Sequence, residues 1–279
     1  MSAPLLMGIV NATPDSFSDR QGEKPLDALV ERAHELAEAG AAIIDVGGES
    51  GRTDRPAVPV EEERARVVPL IERLAAEGLR VSVDTWRAPV ARAALAAGAS
   101  MVNDVSGLSD PSVAEACAAA GARLVITHTR VPPKVKGFPH YDDVVDDVRG
   151  FLRERTALAL ELGVDEAALL FDPGIDLGKS PGESVELLRR LPELAELGPP
   201  LLVAVSRKDF VGALTERPPS ERGAGTLAAL GAAAAGGAAI LRVHDVAAAR
   251  DYLLVHGAIH GAGAGSDLHL PHELRREAV

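Results

Sequence analysis

The chain has 279 residues, of which 47% are hydrophobic and only 3% aromatic, and it carries a net charge of −12. That balance suits a folded protein with an aliphatic core and argues against disorder. It also disfavours nonspecific binding to nucleic acid or to an anionic membrane, so an anionic substrate would need a local basic cluster.

The opening stretch MSAPLLMGIV lacks a basic region and passes straight into an apolar run, so no signal peptide is expected. No apolar run has the length of a membrane span. The single cysteine, Cys117, cannot form an internal disulfide and reads as a packed thiol in the small helical stretch CAAAG. A cytoplasmic protein is expected.

In chain order, the first apolar run is LLMGIV (5–10), which stops at Asn11 and enters the polar loop NATPDSFSD. LDALVERAHELAEAG follows with Leu26, Leu29, Val30, Ala33, Leu36 and Ala37 at helical spacing and Gly40 as a stop. The second run, AIIDV (42–46), leads into GGESGR and then a helical VEEERARVVPLIERLAAEG. LRVSVD (79–84) and SMVNDV (100–105) are each followed by a short alanine-rich helix, PVARAALAAG and SVAEACAAAG. RLVITH (123–128), ALLFD (168–172), LLVAVS (201–206) and AAILRV (238–243) complete eight runs. Strands start roughly thirty residues apart on average, the size of one βα unit.

Eight buried parallel strands alternating with helices predict a single α/β domain closed as a (β/α)8 TIM barrel, with a doubly wound open sheet as the alternative. No linker interrupts residues 1–257, which are read as the barrel. Residues 258–279 form a Gly- and His-rich tail. GAGAGS there has no preceding strand and so is no dinucleotide fingerprint. His256, His260, His269 and His272 could bind metal, but a loosely docked tail is the expectation.

In such a barrel the site lies at the C-terminal ends of the strands. Those ends carry Asn11, Asp45, Asp84-Thr85, Asn103-Asp104, Thr127-His128-Thr129, Asp172, Ser206-Arg207-Lys208 and Arg242 with His244-Asp245. Any one of these could be a cap or a strand-end hydrogen bond. A polar residue at the same end of all eight strands points to a site. Asp84, Asn103 and Asp172 make an acidic and amide half, suited to the adjacent N–H donors of an aminopyrimidinone or a guanidinium. Arg52, Lys208, Arg242 and His244 make a basic half, able to hold phosphate or carboxylate oxygens. A nitrogen heterocycle carrying a diphosphate would use both. Internal pairing of Asp84 or Asp172 with Lys208 or Arg242 is the competing structural explanation, and partial pairing in an empty site is compatible with function.

The stretches MGIVNATPDSFSD, VGGESGR, SVDTW, VNDVSGL, DPGIDLGK, VSRKDF and RVHDV resemble, in order and over residues 5–255, the dihydropteroate synthase family. The resemblance implies a homodimeric (β/α)8 barrel of folate biosynthesis. Its reaction joins 6-hydroxymethyl-7,8-dihydropterin diphosphate to 4-aminobenzoate and releases diphosphate, with Mg2+ as cofactor. By motif, Asp84, Asn103, Asp172 and Lys208 would bind the pterin. Asn11, Arg52, Arg242 and His244 would hold the diphosphate, and Asn11 would also bind Mg2+. Ser206 would meet the aminobenzoate carboxylate, with Phe17 and Thr53 beside its ring. Lys208, Arg242 and Asp84 would carry the catalysis. The implied mechanism is SN1-like: diphosphate leaves first and the aromatic amine then attacks the resulting cation, so no strong general base is required.

Some positions depart from the family pattern. Gly51, Thr53 and Asp54 alter the second loop, and Asp19-Arg20-Gln21 alter the first. Ile175, Asp176 and Leu177 stand where Phe and Gly usually alternate, which removes an expected aromatic wall. Thr127 and Thr129 flank His128 in place of methionines. The pattern leaves two other functions open: a pterin-binding paralogue that makes little or no dihydropteroate, and a methyltransferase acting on a methylated folate.

Overall fold

In the computed structural model, which describes residues 3–13, 26–50, 55–260 and 269–270, eight parallel strands close on themselves in chain order. They are β1 (Leu5–Asn11), β2 (Ile43–Gly47), β3 (Val81–Asp84), β4 (Met101–Asp104), β5 (Arg123–Thr127), β6 (Leu169–Asp172), β7 (Leu201–Val203) and β8 (Ala238–Val243). The helices are α1 (Leu26–Glu38), α2 (Val60–Ala76), α3 (Ala88–Ala96), α4 (Ser112–Ala120) and α5 (Val144–Glu161), then α6 (Pro181–Arg189), α7 (Leu191–Ala195), α8 (Asp209–Thr215), α9 (Gly223–Ala235) and α10 (Val246–Ile259). The ring pairs β1 with β8 at Leu5–Ile240 through Gly8–Val243, so the barrel reading holds and the open sheet does not.

Alternation along the strands decides what each face does. Ile44, Val46, Val81, Val83, Val102, Leu124, Ile126, Phe171, Val203, Leu241 and Val243 belong to one core cluster with helix residues such as Leu36, Leu70, Val90, Val113, Val148 and Leu230. The opposite parity forms a second, separate cluster: Met7, Ile43, Met101, Val125, Leu170, Leu202 and Ile240. This cluster plugs the barrel, with β3 supplying the buried Ser82. Two residues further along the same strands stand Asp45, Asp84, Asn103, Thr127, Asp172 and Arg242. The sequence therefore writes an apolar layer and then a polar layer into the barrel interior, with the polar one at the C-terminal mouth.

β7 is shorter than its apolar run suggests. It pairs with β6 only at Phe171–Leu201, and its register against β8 shifts between Leu201 and Leu202. Ala204, Val205 and Ser206 leave the ladder, which carries Ser206, Arg207 and Lys208 into the mouth. α10 runs on to Ile259, two residues beyond the expected end of the barrel. Most of the tail, His272 included, lies outside the described residues. Tyr252 and His256 of α10 and His260 just past its end stack in a row, with centroids 5.5 and 4.2 Å apart. Among the described residues no group of three or more His, Cys, Asp or Glu is placed to hold a metal ion. Nor is any described helix long and apolar enough to cross a membrane. Cys117 is buried, and burial pushes its thiol up to about 12.

Candidate active site

The acidic half gathers where β2, β3 and β4 reach the mouth. Asp84 and Asn103 are Cα partners across the β3–β4 ladder. Arg242, from β8, reaches across to them: its Nε donates to Asp45 Oδ2 at 2.6 Å and its Nη2 to Asp84 Oδ2 at 2.7 Å. Asn103 Nδ2 donates to the same Asp45 oxygen at 3.2 Å. A planar guanidinium fork serves two carboxylates at once from separate nitrogens in a fixed geometry. Burial works against the charge on Arg242, but Asp45 and Asp84 more than compensate and hold its pKa above the ordinary value. Burial pushes Asp84 up to about 7; Arg242 opposes this, and Asp45, Glu63 and Asp104 add to it. The expected separation into acidic and basic halves is thus not spatial, because Arg242 sits on the acidic half. Asp45, wholly buried, joins the site although the functional assignment from sequence left it out.

Asp172 is set by a cage of backbone. Its Oδ1 accepts from the Gly174 amide at 2.7 Å, and its carbonyl accepts from the His128 amide at 2.9 Å. Gly174 has φ +67°, and a Cβ there would lie 2.0 Å from the His128 carbonyl oxygen, so only glycine fits. Lys179, 1% exposed, sends its ammonium to the carbonyls of His128 (3.2 Å), Gly174 (2.9 Å) and Leu177 (3.0 Å). Burial draws Lys179 down to about 7 against the attraction of Asp172. Burial also raises the pKa of Asp172, while the Gly174 amide, Lys208 and Lys179 oppose the rise.

Lys208 Nζ donates to the Ile175 carbonyl at 2.9 Å. Burial lowers its pKa, and Asp176 and Asp172 hold it up. Ser206 Oγ lies 2.8 Å from His244 Nδ1, and the His244 amide also donates to Ser206 Oγ at 3.3 Å. His244 falls to about 4, first through burial and then through Arg242, Arg207 and Lys208. It therefore acts in the site as a neutral hydrogen-bonding group rather than as one of the cations. Arg207 holds a left-handed backbone (φ 59°), with its amide on Thr226 Oγ1 at 3.0 Å. Together with Asn11, Arg32 and His244 it lines a cleft of about 490 Å³ outside β1. Strained positions of this kind cluster at functional sites.

Glu49, from the GGES stretch, pairs with Arg87 at 2.7 Å and with Lys134 at 3.6 Å. Arg87 also pairs with Glu63, which accepts from Thr85 Oγ1 at 2.7 Å. Lys134 donates to the Ser50 carbonyl at 2.7 Å. This buried network fixes the start of the second loop. The predicted Phe17, Arg52 and Thr53 lie outside the described residues. Asn11 is half-buried at the end of β1, opposite Gly47. A Cβ on Gly47 would lie 3.6 Å from Asn11 Oδ1 and 3.7 Å from Asp84 Cβ, so glycine keeps that corner open.

Residues 7–244 match the family model described as pterin binding enzyme. A dihydropteroate synthase from Synechocystis is 42% identical over 247 residues, covering 87% of this chain and 86% of its own length. The structure of Xanthomonas albilineans dihydropteroate synthase with 4-aminobenzoic acid superposes with a TM-score of 0.87 at 48% identity, covering 94% of both chains. The same enzyme in complex with 7,8-dihydropteroate gives a TM-score of 0.85 at 48% identity, over 94% of this chain and 95% of the other.

Proposed function

Because the chain belongs to the dihydropteroate synthase family of pterin-binding enzymes, we propose that it joins 6-hydroxymethyl-7,8-dihydropterin diphosphate to 4-aminobenzoate, giving 7,8-dihydropteroate and diphosphate. One observation carries the reading: Asp84, Asn103 and Asp172 line a buried mouth beside Arg242 and Lys208. Carboxylates there match the adjacent N–H donors of a pterin edge, and Lys208 lies along the ring.

Arg242, His244, Asn11 and Arg52 hold the diphosphate, Arg242 and Arg52 by charge and His244 by hydrogen bonding. Asn11 offers an amide oxygen beside the open Gly47 corner. Such a hard oxygen donor would suit Mg2+. The metal would supply charge neutralisation on the leaving diphosphate. Breaking the CH2–O bond sends its electron pair to the diphosphate and leaves a cation on the pterin, which Asp84 and Asp172 stabilise. The aromatic amine of 4-aminobenzoate attacks with its own lone pair. Ser206 holds its carboxylate, with Phe17 and Thr53 beside its ring.

Exposed Leu214 on α8 and exposed Leu254, Val255 and Ile259 on α10 support a homodimer formed over the helices that flank α9. A cytoplasmic location fits a small-molecule synthase of this composition. The test is direct: purified protein with the dihydropterin diphosphate, 4-aminobenzoate and Mg2+ forms dihydropteroate. Tight pterin binding with no product would overturn the synthase reading in favour of a silent pterin-binding protein.

A further inference from the structure

Asp176 holds a left-handed backbone, φ 62°, in the loop after β6. Side chains stay in that region only where contacts over-determine them. Here they do. Its Oδ1 accepts from the Ser184 hydroxyl of α6 at 3.0 Å, while its own amide donates to that hydroxyl at 3.1 Å. Its Oδ2 accepts the amides of Asp209 and, at 3.3 Å, of Phe210. Those are the first two amides of α8, which have no intrahelical partner, and Lys208 in the N-cap position makes no side-chain cap. A carboxylate from another loop therefore caps α8.

A second rung runs the other way. The residue before the capped amides, Lys208, donates its ammonium to the carbonyl of Ile175, the residue before Asp176. Residues 175–176 and 208–210 are thus tied twice, once through each segment's charged side chain. Asp176 is also the charge that attracts Lys208 most strongly, ahead of Asp172. The loops so joined are the one that carries Asp172 and the one that carries Ser206 and Lys208.

We propose that Asp176 is a positioning residue that latches the loop after β6 to the start of α8 and so fixes Lys208 for the dihydropterin. This latch rests on the synthase reading for the identity of its ligand. It gives the Ile-Asp-Leu segment a role in place of the aromatic wall: order in the pterin pocket comes from a charged tie between two loops.

The test compares wild-type protein with Asp176→Gly and Asp176→Asn. Asp176→Gly relieves the left-handed backbone but removes the carboxylate rung and its attraction for Lys208, leaving only the Ile175 carbonyl to hold the ammonium. Its Kd and KM for the dihydropterin diphosphate should rise about tenfold, the effect of losing one charge-assisted hydrogen bond. KM for 4-aminobenzoate and the melting temperature should stay close to wild type, and the Asp209 and Phe210 amides should exchange hydrogen faster. Asp176→Asn keeps one accepting oxygen and tolerates the same backbone, so it should restore most of the pterin affinity. An unchanged pterin Kd in Asp176→Gly overturns the latch, as does unchanged amide exchange. Pterin binding and amide exchange are read without turnover. A wild-type protein that binds pterin without making product, with the tenfold loss still present in Asp176→Gly, overturns the synthase reading and supports the latch.

Discussion

Arg242 and Asp84 meet at 2.7 Å across the mouth of the barrel, from strands β8 and β3 that share no ladder. The contact means that the residue assigned to the diphosphate and the residue assigned to the pterin form one charged unit before substrate arrives. A pterin binding at Asp84 must share that carboxylate with Arg242, so binding of the heterocycle and reorientation of the guanidinium are coupled.

Asp84 gives the first prediction. Its pKa rises from the ordinary 3.8 to about 7 in the fold. The folded protein therefore binds more protons than the unfolded chain in that window, and the group disfavours folding increasingly as pH rises through it. Pterin N–H donors favour the ionised carboxylate, so binding near pH 7 should release up to about one proton and tighten as pH rises. Calorimetry in buffers of different ionisation enthalpy measures this release. Asp84→Asn should abolish it and weaken pterin binding about a hundredfold.

Removing Arg242 should cost stability as well as activity. Arg242→Met leaves Asp45, wholly buried, without its 2.6 Å partner. An uncompensated buried charge costs about 3–5 kcal/mol, read as a lower urea midpoint. Adding Asp45→Asn should recover most of that loss while leaving synthesis abolished, which separates the two roles of the arginine.

Lys179 should behave as a structural cation. Lys179→Met takes the ammonium away from three carbonyls, of which Gly174's keeps the Leu177 amide. The expected loss is about 2–4 kcal/mol in urea unfolding, with weaker pterin binding because Gly174 then positions Asp172 less firmly. Full stability in this variant would contradict the caged arrangement.

His244 titrates low, at about 4 against an ordinary 6.5. Between those values the unfolded chain binds a proton that the folded protein refuses, so the group's contribution to stability is lost as pH falls through that window. His128, drawn down to about 3 chiefly by burial, acts in the same direction. His244→Gln should therefore lose less stability than wild type between about pH 6.5 and 4 in urea titrations. An identical slope in the two proteins would mean that His244 is already charged in the fold.

The eight strands were legible because buried parallel strands are nearly continuous apolar runs; six runs contain their strands, and β1 and β2 go one residue further, to Asn11 and Gly47. β7 was read too long because Ala204 and Val205 remain apolar after the chain leaves the ladder, and a bulge has no hydropathy signature. Asp84, Asn103 and Asp172 could be picked out as strand-end polar residues. Asp45 stood at the same place, but its partner lies 197 residues away, and no local pattern marks it. Lys179 sits in DLGKS with nothing local to mark it as buried, since its cage is made of carbonyls that any sequence would supply. Asp176 read only as the absence of an aromatic. Its partners, Ser184 and the α8 amides, become visible once the loops are brought together.

The charged mouth can be counted. Asp45, Asp84, Asp172 and Asp176 face Arg242, Lys208 and Lys179, four negative groups against three positive, so the fully ionised group is one positive charge short of neutrality. In the empty barrel a proton on Asp84, favoured first by burial and then by the neighbouring carboxylates, makes up the deficit. In the proposed reaction the pterin cation takes that proton's place. Once pterin binding has released that proton, the pocket is electrically complete only while the intermediate exists, and a fixed, fully charged inhibitor that mimics the cation should outbind any neutral pterin of the same shape.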